Sequence, residues 1–270
     1  MKSSKKLLAI LLVITMLIAH FTWVNFNNDV YAVEAQTVAT KYFYNQLTSS
    51  AKVFYNAMET MLANGKLKTG TASYEFSDSE ISQDQLAAFA VGKSNKIMED
   101  FGAARDAFSQ DHPEVFYVDY DQFSIRVTQN NDGYKVAIGT GRSDSYLNKG
   151  FKSVTDVESA ISTVNSGVNA IVNHVTSEEF VNGIEDGQNL REEQIKYVHN
   201  KIIELTDYRL ELAVTKTEYA YNIRTVYGVF GNGEAVCEGF ARTVKMVLDK
   251  LNIPCVLVRG VYINNAITPE

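Results

Sequence analysis

The 270-residue chain is poor in the residues that staple, ligate and break: it has two cysteines, four histidines, three prolines and one tryptophan. Two cysteines cannot build a disulfide framework, and their placement argues against even one bridge. Cys237 opens a helical pattern and Cys255 follows its end. About 14 helical residues at roughly 1.5 Å rise put the two on the order of 20 Å apart, whereas a bridge needs Cα atoms within about 7 Å. Cys255 then reads as a small core residue, and Cys237 needs another explanation. His20, His112, His174 and His199 are scattered without ligand spacing, so no metal is expected, and no cofactor motif appears. So few prolines exclude a linker-rich chain, and there is no repeat or low-complexity tract. Basic residues are outnumbered, 25 against 32, for a formal net charge of −7. That balance disfavours nucleic acid or an anionic membrane surface as partner.

What is present begins with an export signal. Lys2, Lys5 and Lys6 form a basic start, and Leu7 to Ala19 is an apolar run of thirteen residues, too short for an ordinary spanning helix. Val30-Tyr31-Ala32 offers a cleavage site, with Ala35 as a second choice; an uncleaved anchor reaching through Trp23 and Val24 is the alternative. Residues 1–32 are read as a signal peptide, which places the protein outside the cell or on its surface, with no stable membrane span after cleavage. The mature chain would lose three lysines and one aspartate, moving the balance to 22 minus 31, or −9. Its 46% hydrophobic content suffices for a packed core.

Residues 33–185 read as a mainly helical region with a small antiparallel sheet. Tyr42 to Leu62 is helical, with Thr48 or Ser49 as N-cap, and Gln83 to Phe108 carries a second stripe of Leu86, Phe89, Ile97, Phe101 and Phe108. Thr71 to Phe76 is a short strand, and His112-Pro113-Glu114-Val115-Phe116-Tyr117-Val118 a turn into another. Asn130-Asn131-Asp132-Gly133 joins Phe123–Thr128 to Tyr134–Gly139 as a hairpin. Val154 to Val175 is a helix facing inward with Val157, Ile161, Val164, Val168, Ile171 and Val175. The polar stretch Asn182 to Asn189 is the best boundary. A helix over Arg191 to Thr206, inward at Ile195, Val198, Ile202 and Leu205, then opens a second unit, residues 186–270.

The chain is organised around Tyr227 to Gly260. Gly231-Asn232-Gly233 lacks the Lys and Ser/Thr of a phosphate-cradling loop and reads as a turn. It delivers Cys237 to the start of an amphipathic helix bearing Phe240, Ala241, Val244, Val247, Leu248 and Leu251. Asn252 closes that helix, Pro254 prevents its continuation, and Cys255-Val256-Leu257-Val258 reads as a buried strand. Unpaired N–H groups and the positive end of the dipole at a helix N-terminus favour thiolate over thiol and could hold an oxyanion. Tyr208, Tyr219, Tyr221 and Tyr227 either line a groove ahead of the cysteine or cover a core edge.

The run Val236-Cys237-Glu238-Gly239-Phe240-Ala241, between Gly-Asn-Gly and Leu-Asn-Ile-Pro-Cys-Val-Leu-Val-Arg-Gly, closely resembles the nucleophile segment of bacterial transglutaminase-like proteins, within the papain-like cysteine superfamily. Phe240 departs mildly from that family's usual Tyr. The His112-to-Asp119 segment after an N-terminal helical part is similar to secreted members from Gram-positive bacteria. The resemblance implies an α+β fold with an incomplete papain-like core. It makes Cys237 the nucleophile, with Gly233 and Gly239 supporting the nucleophile turn. Protein or peptide substrates, offering glutamine or peptide carbonyls, are the implied partners. It also implies a His and an Asp on following strands; no His follows Cys237, so they are expected from sequence beyond Glu270, and this chain alone is expected to be inactive. Three readings stand: acyl transfer or amide hydrolysis through a Cys237 thioester, a binding or scaffold module that keeps the fold without the chemistry, and a structural core thiol.

Overall fold

The computed structural model describes residues 41–140, 144–213 and 218–258. The export segment, its cleavage sites and everything beyond Val258 lie outside them. The architecture is mixed helix and sheet, and among the described residues no helix is long and apolar enough to cross a membrane.

The first expected helix is two. Helix α1 (Tyr42–Gln46) stops at Leu47, and α2 (Ser49–Ala63) restarts behind Thr48, whose hydroxyl accepts the Ala51 N–H at 3.1 Å. An N-cap residue takes extended backbone, so the same threonine that starts α2 ends α1. The second expected helix is also broken. Helix α3 (Gln83–Ala90) starts in a Ser82–Gln85 capping box, and α4 (Lys96–Asp111) begins after Gly92, whose φ of 70° no helix tolerates. Helices α2 and α4 pack on each other through Phe54, Met58, Met61, Phe101 and Phe108, all buried.

The hairpin forms as its turn signal requires. Strands β2 (Phe123–Asn130) and β3 (Gly133–Thr140) pair antiparallel from Asn130↔Gly133 to Phe123↔Thr140, and the short β1 (Tyr74–Glu75) flanks β3. Residues 115–118 are not the expected strand. Val115, Phe116, Tyr117 and Val118 are buried, yet only Val118 bridges to another chain segment, at Leu147. Apolar continuity was satisfied by burial under side chains rather than by a ladder.

Helix α5 (Val154–Val175) has the expected bounds, and it is capped by Ser153, whose hydroxyl accepts the Asp156 N–H at 3.1 Å. The short α6 (Glu178–Asn182) leads to α7 (Leu190–Leu205), capped by Asn189. Val198 and Ile202 of α7 are buried, but Leu205 is 43% exposed, a correction to its expected inward place: it lies in the last turn, beyond the face that packs.

After α7 come β4 (Asp207–Tyr208), α8 (Leu210–Ala213), α9 (Glu218–Asn222), a π-helical turn Gly228–Asn232, β5 (Glu234–Ala235) and α10 (Cys237–Lys250). Strand β4 runs parallel to β5, in the register Asp207↔Glu234 and Tyr208↔Ala235. Helix α10 buries Phe240, Thr243, Val244, Val247 and Leu248 against α5 and α7. Its end is closed as the sequence implies. Asn252 takes φ 58°, its N–H reaches the Asp249 carbonyl at 3.1 Å, and the Ile253 N–H reaches Leu248 at 2.9 Å.

Cys255 to Val258 is not a strand. Among the described residues no strand pairs with it, and Val258 is 52% exposed; an apolar run without a ladder partner cannot become one. Cys255 itself is largely covered, and burial pushes its thiol up to about 11. Both cysteines are free. One apolar cluster runs from Phe54 to Ile253, fed from both sides of residues 182–189.

Candidate functional site

Cys237 occupies the first turn of α10 and is exposed. Three features of the local chain put it there. The segment between α9 and α10 is folded so tightly that glycine is required at its crossings: a Cβ on Gly228 would lie 2.7 Å from the Asn222 carbonyl and 2.8 Å from that of Glu234. A Cβ on Gly239 would lie 2.5 Å from the Ile223 carbonyl and 3.0 Å from Ala235 Cβ. Gly233 ends the π-helical turn with φ 67°, its N–H on the Val229 carbonyl at 3.2 Å, and so turns the chain into β5. Gly233 and Gly239 therefore both hold the turn, one by its dihedral and the other by its lack of bulk. Gly228 does the same and carries no motif that marks it in the sequence.

The N-terminus of α10 has no side-chain cap. Val236 stands at the N-cap, buried and without an acceptor, its own N–H on the Ile223 carbonyl at 2.9 Å. The N–H groups of Glu238 and Gly239 have no hydrogen-bond partner among the described residues. The phenol of Tyr208, which β4 carries alongside β5, lies in the electrostatic field of Cys237. Burial first, then the charge and side-chain hydrogen bond of the neighbouring Cys237, raise the Tyr208 phenol above its ordinary value. It stays protonated at neutral pH. The Tyr208 ring also packs on Phe240, with centroids 6.1 Å apart. Of the four tyrosines singled out in the sequence, Tyr208 touches the cysteine and Tyr221 lines a cleft. Tyr227 instead stacks on Phe116 at 6.0 Å, as a core-edge residue, and the Tyr219 side chain lies outside the described residues.

Glu238 sits one residue beyond the thiol between two guanidinium groups, with Arg242 at 3.0 Å and Arg224 at 3.8 Å. Arg242 also donates to the Ser109 carbonyl at 2.6 Å, tying α10 to the end of α4. A cleft of about 420 Å³ opens here, lined by Arg105, Ser109, Val115, Phe116 and residues 118–121 together with Tyr221, Thr225 and Glu238.

None of the described imidazoles serves Cys237. His112 is clamped between Glu114 at 2.7 Å and Glu59 at 2.8 Å and stacks on Phe108. Burial alone would lower it, but the two carboxylates outweigh burial and hold it up at about 9. The same contact, opposed by burial and helped by Lys41, holds Glu59 down at about 2. His174 stacks on Tyr197 at 4.4 Å, and His199 faces Asn200. Among the described residues no three His, Cys, Asp or Glu side chains converge to hold a metal.

No protein-family model matches the chain, and no curated protein matches it.

Proposed function

We propose that Cys237 is the nucleophile of a transglutaminase-like cysteine acyl transferase or amide hydrolase with a papain-like core, acting on exported or cell-surface proteins. The observation that carries the reading is an exposed thiol in the first turn of a 14-residue helix whose N-terminus is left without a side-chain cap. Such an end presents partial positive charge and N–H groups to an incoming oxyanion. In the reaction the Cys237 sulfur adds to a glutamine carboxamide or peptide carbonyl carbon, and the carbonyl electrons move to oxygen. The tetrahedral species collapses with loss of ammonia or amine, which takes up a proton. The resulting thioester then passes to an amine or to water, regenerating the thiol. The first step needs a general base, a role worth roughly a hundredfold to ten-thousandfold in rate. In the family that base is a histidine on a following strand.

The scaffold reading has one observation on its side: each described imidazole, of His112, His174 and His199, is engaged away from the thiol. Iodoacetamide labelling of Cys237 against pH, with amine incorporation into a glutamine peptide and peptide hydrolysis followed in parallel, separates the two. We expect labelling that Cys237→Ser abolishes, together with one of the two activities. A reactive thiol with neither activity would leave a binding module, and an inert thiol would remove the nucleophile.

A further inference from the structure

The three-stranded sheet guards one of its edges and leaves the other open. On one side it ends in β1, two residues long; on the other it ends in β2, eight residues paired with β3 from Phe123 to Asn130 without a bulge or a proline. An antiparallel strand turns its N–H and C=O groups to its two sides at alternate residues. The Phe76 N–H takes the Val136 carbonyl at 3.0 Å, so the even residues of β3 face β1 and the odd ones face β2. The register pairs those odd residues with Ser124, Arg126, Thr128 and Asn130. The backbone groups of Ile125, Val127 and Gln129 therefore point away from the sheet, and none of them has a hydrogen-bond partner among the described residues.

The two faces beside this edge differ. Lys135 lies opposite Thr128, on the face that also carries Arg126. Both cations are exposed, and neither has an ion-pair partner among the described residues, although acidic residues outnumber basic ones 32 to 25 in the chain. Arg126 reaches only the Thr140 carbonyl, at 3.4 Å. On the other face Ile125 and Val127 pack against the core and are only partly covered. The Phe123 N–H, which points to the open side, goes to the Asp119 carbonyl at 3.2 Å, so the 119–122 turn stands at that end of the edge. Asp119, Tyr120 and Asp121 of the turn line the cleft that Glu238 also lines.

We infer that the open edge of β2 takes up an extended polypeptide segment as an added antiparallel strand, with carboxylate side chains facing Arg126 and Lys135 and apolar ones beside Ile125 and Val127. Main-chain hydrogen bonds to Ile125, Val127 and Gln129 give the affinity, and the alternation of side chains gives the selectivity. A second copy of the chain fits less well. Paired edge to edge about a two-fold axis, it would bring two more cations to the same face, while neither β2 nor β3 contributes a carboxylate. An added antiparallel segment runs toward Phe123, and its C-terminal end meets the lip of the cleft. That this makes it a seat for substrate rests on the acyl-transfer reading; the strand seat itself rests on the sheet alone.

The test uses the full chain as Cys237→Ala, isotope-labelled for NMR and titrated with the capped peptide Ser-Val-Glu-Val-Glu-Val-Ser. We expect the Ile125, Val127 and Gln129 amides to shift and gain protection from exchange, while those of Ser124 and Thr128, already in the ladder, change little. In the added strand the valines face Ile125 and Val127 and carry the N–H groups that reach β2. The peptide with N-methylated valines should therefore bind roughly tenfold or more weakly, and the one with N-methylated glutamates within about twofold of the parent. Val127→Pro removes an N–H that no ladder bond uses, so the sheet should form and affinity should fall roughly tenfold. Arg126→Glu should turn the preference toward the peptide with lysines in place of glutamates. Should the proline variant misfold, the two methylated peptides decide. No binding, shifts confined to residues outside β2, or equal losses with both methylated peptides would overturn the proposal. So would sedimentation showing a dimer that Val127→Pro converts to monomer, which would assign the edge to a second copy. Binding at the edge together with an inert Cys237 in the wild-type chain would remove the acyl-transfer reading and leave the strand seat.

Discussion

Helices α5 and α10 lie against each other in one core, and their N-termini are built in opposite ways. The start of α5 is closed by the Ser153 hydroxyl, and its apolar stripe, Val157, Val164, Val168 and Ile171, is buried along its length. The start of α10 is led in by a buried valine and left open. Thr48, Ser82, Ser177 and Asn189 close other helices of the chain with their own side chains. The start of α4, at Asn95, is also without a side-chain cap, so the open end of α10 is set apart by the exposed thiol it carries rather than by its openness.

The sharpest way to break this comparison is to fill the space that brings the open end into place. Gly228→Ala and Gly239→Ala each set a methyl group within 3 Å of backbone carbonyls, which have no room to move, and each should lower stability by about 3 kcal/mol. Gly92→Ala is the control: at φ 70° with nothing near its Cβ, it should cost only about 1 kcal/mol of backbone strain. Urea midpoints for the three variants measure this, and similar losses at all three would mean that the crossings near Cys237 are not tightly packed.

The contrast also explains what was legible beforehand. Regular periodicity is a local property, so α5 could be read to the residue, and the hairpin could be placed by its turn, although its strands run two residues closer to the turn on one side and one on the other than expected. The two long N-terminal helices were over-extended because a good cap at Thr48 and a glycine at Gly92 interrupt a stripe without erasing it. Residues 115–118 and 255–258 carry strand-like composition, but a strand exists only with a partner, and pairing is not written within either segment. At the site, Cys237, Gly233 and Gly239 stood out by motif. Gly228 did not, because its need for glycine comes from carbonyls at Asn222 and Glu234 that meet only in three dimensions. The cleft was invisible for the same reason: Asp119 and Glu238 line one opening only in three dimensions, where Arg242 ties α10 to the Ser109 carbonyl of α4.

A second difference is one of pH. The His112 clamp joins α2 to the end of α4, with Glu59 and Glu114 on its two ring nitrogens. A histidine held up at about 9 when folded, against 6.5 when unfolded, contributes stability that is fully present below pH 6.5. That contribution is lost as pH rises through 9, because the folded chain then no longer holds the extra proton. The loss should reach about 2–3 kcal/mol. Glu59 works in the other direction at acid pH: held down at about 2, it contributes stability above its ordinary value near 4.5 that disappears as pH falls towards 2. His112→Gln should flatten the alkaline limb of a thermal-denaturation series between pH 6.5 and 9.5 while leaving Cys237 labelling unchanged at a fixed pH. An alkaline limb as steep in the variant as in the wild type would mean that the imidazole is not held charged by its two carboxylates.

The smallest expected effect is the most direct test of the two helix starts, because it exchanges their designs. Ser153→Ala removes a hydroxyl that accepts the Asp156 N–H and should cost about 1 kcal/mol. Val236→Thr is the converse: the backbone there is already extended, with φ −106° and ψ 177°, and a threonine of the same volume could turn its hydroxyl to the open Gly239 N–H. The new bond offsets the burial of a hydroxyl, so stability should change by no more than about 0.5 kcal/mol. Reactivity should move more visibly. A cap that takes the Gly239 N–H removes one of the donors left for negative charge at the helix end, and Cys237 alkylation at neutral pH should slow by about twofold to fivefold. Tyr208→Phe serves as the companion variant, since it removes the hydroxyl beside Cys237 without touching the Glu238 and Gly239 N–H groups. If Val236→Thr left the alkylation rate unchanged while Tyr208→Phe altered it, the environment of the thiol would be set by the tyrosine across β4, and the open helix end would lose its claim to function.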